Sequence, residues 1–123
     1  MLLAQDYRFS KTHRLLKRHQ YLFVQQTGQK VTSRLFIALV VFGGSDAHPQ
    51  LGVTITRRFG NAVARNHTRR LVREAFRTKR FLPPSGVCLV VLPKRNASGA
   101  TTDEIFADLE RLGSRIFELQ ERQ

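Results

Sequence analysis

This chain has one cysteine, Cys88, and no tryptophan. A lone cysteine forms no internal disulfide, and a reducing, cytoplasmic setting is the expected one. No apolar run approaches the roughly 20 residues of a membrane-spanning helix. The opening MLLAQDYRFSK is short and polar, with neither the apolar core nor the small-residue cleavage site of a secretory leader. Acids are scarce through most of the chain. Of nine, six (Asp103, Glu104, Asp108, Glu110, Glu118, Glu121) come after residue 100, and only Asp6, Asp46 and Glu74 precede it. A stand-alone nuclease needs metal-binding carboxylates or an acid/base pair, and the first hundred residues offer little of either. His13, His19, His48 and His67 have no helical pairing with one another and no second ligand type beside them, so no metal site is expected. Gly43-Gly44 lacks the lysine and helix that follow a phosphate-cradling loop. Cys88 stands mid-strand among Val and Leu and reads as a small buried hydrophobe. By elimination, this polypeptide binds and does not itself do bond chemistry.

What is present points to a polyanion. The 123 residues suit a single domain, 1–123, that needs no disulfide or metal staple. At 41% hydrophobic with nine Phe, the chain has material for a core. The formal net charge is +12, and eighteen of the 21 bases lie before residue 100. Such a charge opposes compaction and favours phosphate partners. The surface facing them is built by the first three-quarters of the chain, and the last helix reads as an ordinary solvated one.

The densest stretch is Arg57 to Arg80, RRFGNAVARNHTRRLVREAFRTKR, in which Glu74 is the only acid. It is periodic. At 100° per residue from Arg65, the side chains of Arg69, Arg73, Arg77, Arg80, Asn66 and Arg70 fall within roughly 140° of arc. Ala64, Thr68, Leu71, Val72 and Ala75 take the opposite arc. The spacing predicts a helix about five turns long, apolar on one face and dense in guanidinium on the other. Gly60-Asn61 supplies the turn and the N-cap. Most charged helix faces are merely solvated. Here arginines recur at i, i+4 with Glu74 the single acid among them, which costs a few tenths of a kcal/mol per pair unless a counter-charge arrives. Glu74 can pair with a neighbouring arginine.

Elsewhere, a first helix is expected from about Lys17 to Thr27, with Leu22, Phe23 and an incoming Leu15 on the core and Arg18, Tyr21 and Gln25 sharing another face. Gly28 ends it. Tyr21 beside Arg18 suits stacking of an unpaired base; a half-buried tyrosine with its hydroxyl in water fits the sequence equally. Ser33 to Phe42 reads as a buried strand, joined through the Gly44–Pro49 turn to an alternating strand at Leu51 to Thr56. Thr54 and Thr56 give that strand a small hydroxyl face beside Arg57 and Arg58, either a phosphate or sugar acceptor or simply wet. After the basic helix, Pro83-Pro84 stops the chain, Val87 to Leu92 makes a third strand, and Thr102 caps a last helix. Ile105, Phe106, Leu109, Leu112, Ile116 and Phe117 form its core face. Phe36 and Phe42 are core by their apolar stripe, and Phe76 borders the arginine face. The order α-β-β-α-β-α makes an α/β (α+β) sandwich, a small mixed sheet covered by helices.

F-G-N-A-V-A-R-N-H-T-R-R-L-V-R-E-A-F-R, preceded by L-G-V-T-I-T-R-R, closely resembles the signature of the bacterial ribonuclease P protein subunit: a strand ending in two bases, then G-N-A-V and an R-N-R core. The match runs from Gly52 to Arg77 almost without gaps, and Phe9 to Leu15, FSKTHRL, looks like the family's opening segment. The resemblance implies a left-handed β–α–β crossover, against the usual rule. It implies binding to a catalytic RNA that, with its Mg2+ ions, removes the 5′ leader of precursor tRNA, with no cofactor on the protein alone. The protein by itself is expected to be a monomer. Arg65, Asn66, Arg69, Arg70, Arg73 and Arg77 would contact RNA, with Arg57, Arg58 and Asn61 nearby. Tyr21, Arg18, Gln25, Thr54 and Thr56 would line a cleft for the single-stranded leader. Two positions depart from the pattern. His67 replaces the third basic residue of R-N-R, and Gln25 stands where a second cleft aromatic is usual. Two other classes remain: a structural ribosomal-type RNA-binding protein with no processing role, and a DNA-reading helix. Few Asn, Gln or Ser on the arginine face argue against base readout.

Overall fold

A computed structural model describes residues 18–43 and 49–123. Expectations resting on Leu15, on the Phe9–Leu15 segment and on the loop 44–48 lie outside those residues. The elements are α1 (Arg18–Thr27), β1 (Gln29–Thr32), β2 (Phe36–Val41), β3 (Gln50–Val53), α2 (Ala62–Arg77), β4 (Cys88–Pro93) and α3 (Thr102–Glu121), with 3-10 turns at Arg57–Phe59 and Arg95–Gly99. The sheet runs β1-β2-β4-β3.

Two expectations about the sheet are corrected. The order is α-β-β-β-α-β-α, because QKVT forms β1 before the long apolar run begins. Only Val31 of its four residues points to the core, so it carries too little period to be read as a strand. It pairs antiparallel with β2, Gln29 opposite Val40. The expected hairpin between the Ser33–Phe42 run and the Leu51 strand does not form. Instead β4 lies between them, antiparallel to β2 and parallel to β3. A strand apolar on both faces is stable only where both faces are covered, and CLVVLP is such a strand. Leu89 and Val91 join one core while Val90 and Leu92 join another.

Those two cores lie on opposite faces of the sheet. On one, Phe36, Ala38, Val40, Leu51, Leu89 and Val91 meet α2 and α3 through Leu71, Val72, Ala75, Ile105, Leu109, Leu112 and Ile116. On the other, α1 buries Val24 against Val90, with Tyr21, Leu39, Val41, Cys88 and Leu92 half-buried around them. Cys88, expected mid-strand and buried, instead opens β4 and is only half-buried, because its neighbours on this face are the partly covered Val41 and Leu92. The phase expected for α1 is corrected. Leu22 is 46% exposed and Phe23 56%; the stripe on the sheet is Gln20-Tyr21, then Val24. The chain leaves the helix hard against the sheet. At Gly28 a Cβ would stand 2.5 Å from the Val24 carbonyl oxygen and 3.0 Å from the Val40 nitrogen. Phe117, placed in the core by period, is 50% exposed.

The last helix is not merely solvated. Its N-cap is Thr101, one residue before the one expected. The Thr101 hydroxyl accepts from the Glu104 N–H at 3.1 Å, and the Glu104 carboxylate accepts from the Thr101 N–H at 2.8 Å. That backbone donor holds the Glu104 carboxyl below the usual carboxylate range, helped by the Thr101 hydroxyl and by Arg34. Two turns on, the Asp108 side chain is fully buried. It accepts from the Ser33 hydroxyl at 2.5 Å, the Leu35 N–H at 2.9 Å and Arg111 at 3.3 Å. The β1–β2 turn is held at its other oxygens as well. Arg115 donates to Thr32 O at 2.6 Å, the Lys94 ammonium to Ser33 O at 2.6 Å, and Asn96 to Arg34 O at 3.1 Å. Asp108→Ala leaves the buried Leu35 N–H without an acceptor and the Ser33 hydroxyl with only the Phe36 carbonyl at 3.4 Å, so unfolding free energy falls by about 3 kcal/mol. Ser33→Ala removes one donor and costs about 1 kcal/mol. Urea unfolding at constant m-value measures both, and a loss below about 1 kcal/mol for Asp108→Ala would contradict the anchoring role.

Candidate nucleic-acid interface

The parallel ladder runs one step past β3, where the Thr54 N–H donates to Val91 O at 3.0 Å. The chain then leaves the sheet at Thr56 and turns through Arg57–Phe59. Phe59 is buried in the main core, which anchors the turn and leaves Arg57 and Arg58 exposed. Asn61 then caps α2, its side-chain oxygen accepting from the Ala64 N–H at 2.9 Å. The buried side chains of α2 are Thr68, Leu71, Val72, Ala75 and Phe76. They are the expected apolar arc with Phe76 added, whose ring lies 6.4 Å from that of Phe81.

Residues at i, i+4 drift by about 40° per step around a helix. The row Arg65, Arg69, Arg73, Arg77 starts at the edge of the buried stripe and reaches solvent at Arg73, while Arg77 is half-buried. Arg65 is half-buried and donates to the Gly60 carbonyl at 2.7 Å, tying the helix to the turn that carries Arg57 and Arg58. Arg69, also half-buried, donates to the Asn66 side-chain oxygen at 3.1 Å. Both acceptors are neutral, so they orient the guanidinium and leave its charge. Arg70, Arg73 and Asn66 are exposed, and so is His67. At the far end the arrangement changes. Arg77 is gripped by Glu74, Nε to Oε1 at 3.1 Å, and that hydrogen bond holds its pKa above the usual guanidinium value. Arg80 donates to Glu110 of α3 at 3.0 Å and lies 4.7 Å from the centroid of the Phe106 ring.

On the opposite face of the sheet, the Tyr21 ring lies on Gly52. A Cβ there would stand 2.7 to 2.9 Å from its Cε1, Cζ and Oη atoms. Gly52 is thus needed for the close approach of ring to strand. The Tyr21 ring is thus half-buried and seated on the strand. Arg18 and Gln25 are exposed on the same helix, Thr54 is half-buried two residues beyond Gly52, and Thr56 is exposed at the start of the basic turn. Helix α1 covers only part of this face, leaving Ile37, Leu39, Val41 and Leu92 half-exposed. The cleft-side and helix-side candidates thus meet at one short segment, Gly52 to Arg58.

One basic cluster escaped the sequence reading. The turn Arg95–Gly99, anchored by buried Ala97, packs beside Arg57–Phe59. Lys94-Arg95 follows β4 as Arg57-Arg58 follows β3, and two parallel strands end on the same side. The pair of basic dipeptides was visible; their adjacency required the strand order. Among the described residues no three His, Cys, Asp or Glu side chains cluster as metal ligands, and no helix is long and apolar enough to cross a membrane.

The same chain length and arrangement recur in known proteins. The family model for ribonuclease P matches residues 9–116. The ribonuclease P protein component of Gluconacetobacter diazotrophicus is 41% identical over 103 residues, covering 82% of this chain and 88% of its own. That of Desulforapulum autotrophicum is 32% identical over 111 residues, covering 90% and 94%. The solved RNase P protein from Thermotoga maritima in complex with 1-(4-fluorophenyl)-2-thiourea superposes with a TM-score of 0.73 at 30% identity, over 80% of this chain and 95% of that one. The Staphylococcus aureus RNase P protein gives 0.73 at 26% identity, over 81% and 91%. A signature that continues along nearly the whole chain, on a sheet and helices of the same build, places this chain in the ribonuclease P protein component family.

Proposed function

We propose that this chain is the protein subunit of ribonuclease P, acting in the cytoplasm on the 5′ ends of precursor tRNA. It binds the catalytic RNA through Arg57, Arg58, Asn61, Arg65, Asn66, Arg69, Arg70 and Arg73, with Arg77 at the end of the row. The observation that carries this reading is the α2 surface: a buried stripe seats the helix, and a nearly acid-free arginine row stands beside it. Guanidinium forks clamp phosphate oxygens in two-point contacts. The single-stranded leader lies between α1 and the sheet, its backbone drawn by Arg18 and the basic turn. The Tyr21 edge offers a base a stacking surface, and Gln25, Thr54 and Thr56 offer polar contacts. With Gln25 at the usual second aromatic position, stacking there is confined to Tyr21.

Hydrolysis is assigned to the RNA and its magnesium ions. Among the described carboxylates, Glu74, Glu104, Asp108 and Glu110 each accept from a donor of the protein itself, which ties these four to the fold. The protein's part is to raise substrate affinity and to offset phosphate repulsion as the RNA folds and holds metal. A net charge of +12 also opposes self-association before RNA is bound, in keeping with a monomer.

Reconstitution tests the reading. Catalytic RNA with this protein cleaves the leader from precursor tRNA at low magnesium, where the RNA alone is slow. If the protein binds RNA but gives no acceleration, a structural role of the ribosomal type replaces this one. Arg69→Gln and Arg73→Gln each weaken RNA binding and lower the slope of log K against log salt by about 0.7–0.9 for every phosphate that is no longer neutralised. Unchanged slopes in both variants would refute the phosphate-clamp role. Tyr21→Ala weakens precursor tRNA by roughly tenfold, a stacking contribution of about 1–3 kcal/mol, and barely affects mature tRNA, whereas Tyr21→Phe keeps the wild-type preference. An equal loss on both tRNAs removes the cleft assignment.

A further inference from the structure

Helix α1 approaches the sheet at two glycines, and the two are not alike. A Cβ at Gly28 would stand 2.5 Å from the Val24 carbonyl oxygen and 3.0 Å from the Val40 nitrogen. Those are backbone atoms of a helix and a strand, which cannot give way, so Gly28 belongs to the fold. The atoms nearest to a Cβ at Gly52 are instead the far end of one side chain, Cε1, Cζ and Oη of Tyr21, at 2.7 to 2.9 Å. Gly52 lies inside β3, without the left-handed backbone of Gly43 and Gly86, so alanine fits its conformation. Glycine weakens a strand interior, and a close approach by another group is a physical reason for one to stand there. Here that group is the Tyr21 ring.

The helix carrying the ring is fixed. Val24 is buried against Val90, the Gly28 N–H donates to the Val24 carbonyl at 2.8 Å, and the Gln20 amide donates to Gln50 Oε1 of β3 at 3.5 Å. A side chain at position 52 therefore displaces the ring. To regain ordinary contact the ring retreats from the strand by about 0.5–1 Å. We infer that Gly52 is a positioning residue for the 5′ leader: its missing side chain sets the depth at which the Tyr21 ring is held to stack on an unpaired base. The inference rests on the reading of Tyr21 as a leader contact and adds the residue that sets its place. Stacking is sensitive to this depth, because a gap of about 0.5–1 Å forfeits a quarter to a half of a dispersion contact.

The test uses the holoenzyme assembled from catalytic RNA and the full chain, carrying Gly52→Ala, Gly52→Val, Tyr21→Ala, or Gly52→Ala with Tyr21→Ala. Binding of precursor and mature tRNA is measured across a series of potassium chloride concentrations, together with KM and kcat for leader removal. Gly52→Ala weakens precursor tRNA by about two- to threefold, the share of the roughly tenfold Tyr21 contribution that such a gap forfeits. Gly52→Val, with the larger side chain, carries the loss toward tenfold. Mature tRNA affinity and the slope of log K against log salt do not change, and the loss falls on KM with kcat unaltered. In the Tyr21→Ala background there is no ring to displace, and Gly52→Ala costs no further affinity. A Gly52→Ala loss that persists in that background overturns the inference, as does a loss shared equally by mature tRNA. A Gly52→Ala chain that does not fold overturns it too, since the ring would then be framework that cannot yield. If Tyr21→Ala itself weakens both tRNAs alike, the leader reading fails and the inference falls with it. If Tyr21→Ala acts on precursor tRNA alone while Gly52→Ala and Gly52→Val change nothing, the reading stands and only the inference falls.

Discussion

Everything functional in this molecule depends on α2 staying a helix against its own charge. Arginines at i, i+4 repel by a few tenths of a kcal/mol per pair, and the row supplies three such pairs in sixteen residues. Opposing them is the stripe of Thr68, Leu71, Val72, Ala75 and Phe76. Burying a side chain the size of Leu, Val or Phe contributes roughly 1.5–3 kcal/mol, so two or three of these outweigh the repulsion several times over. The order of magnitudes matters. Helix stability comes from tertiary packing, which leaves the outer face free to carry charge chosen for binding. The Asn61 cap and the Arg65 bond to Gly60 fix the first turn, where the like charges begin and intrahelical hydrogen bonds are fewest.

The sheet decides where that face points. Because β4 is inserted between β2 and β3, the strand feeding α2 lies at an edge and runs parallel to the central strand. Parallel strands end together, so the chain segments leaving β3 and β4 emerge side by side. Their short turns carry Arg57-Arg58 and Lys94-Arg95. Each turn is held down by a buried apolar residue, Phe59 or Ala97. Ligand sites at the carboxyl ends of parallel strands are common in open sheets for this topological reason. Here the effect is a concentration of positive charge that no single segment of sequence contains.

Legibility in the sequence followed the strength of local period. The α2 stretch declared both of its faces, and its cap at Asn61, because 3.6-residue recurrence is unmistakable when one side is nearly all arginine. Strands β2 and β4 were readable as apolar runs. What failed was whatever depended on contacts between distant segments. Strand β1 has one inward side chain, so its existence rests on hydrogen bonds to β2. On hydrophobicity α1 reads as facing the core with Leu22 and Phe23, yet the face that meets the sheet is Gln20, Tyr21 and Val24. Asp108 looked like one more acid on a solvated helix. Its burial is set by the Ser33 hydroxyl and the Leu35 N–H, more than seventy residues away in sequence. The candidate site shows the same split: the arginines of α2 were plain, while the Lys94-Arg95 turn and the acids facing Arg77 and Arg80 became meaningful only as neighbours.

The two halves of the proposed interface are joined more tightly than their positions on opposite faces of the sheet suggest. Gly52 carries the Tyr21 ring on one side of β3, and its neighbours Leu51 and Val53 are buried in the core on the other. Five residues later the same chain reaches Arg57. Between them runs an extended segment, pinned by Thr54 to β4 and by Phe59 to the core. There is no hinge glycine in that path, since Gly60 has an extended backbone and lies beyond it. In the proposed function, a leader strand along the cleft and an RNA held by α2 would therefore be referred to one pinned piece of backbone. Under the proposed assignment of the chemistry to RNA, such a piece does what the protein is best suited to do. It converts two separate electrostatic attachments into a fixed distance and angle between them, and positioning of that kind lowers the entropic cost of bringing the leader junction to the reacting metal.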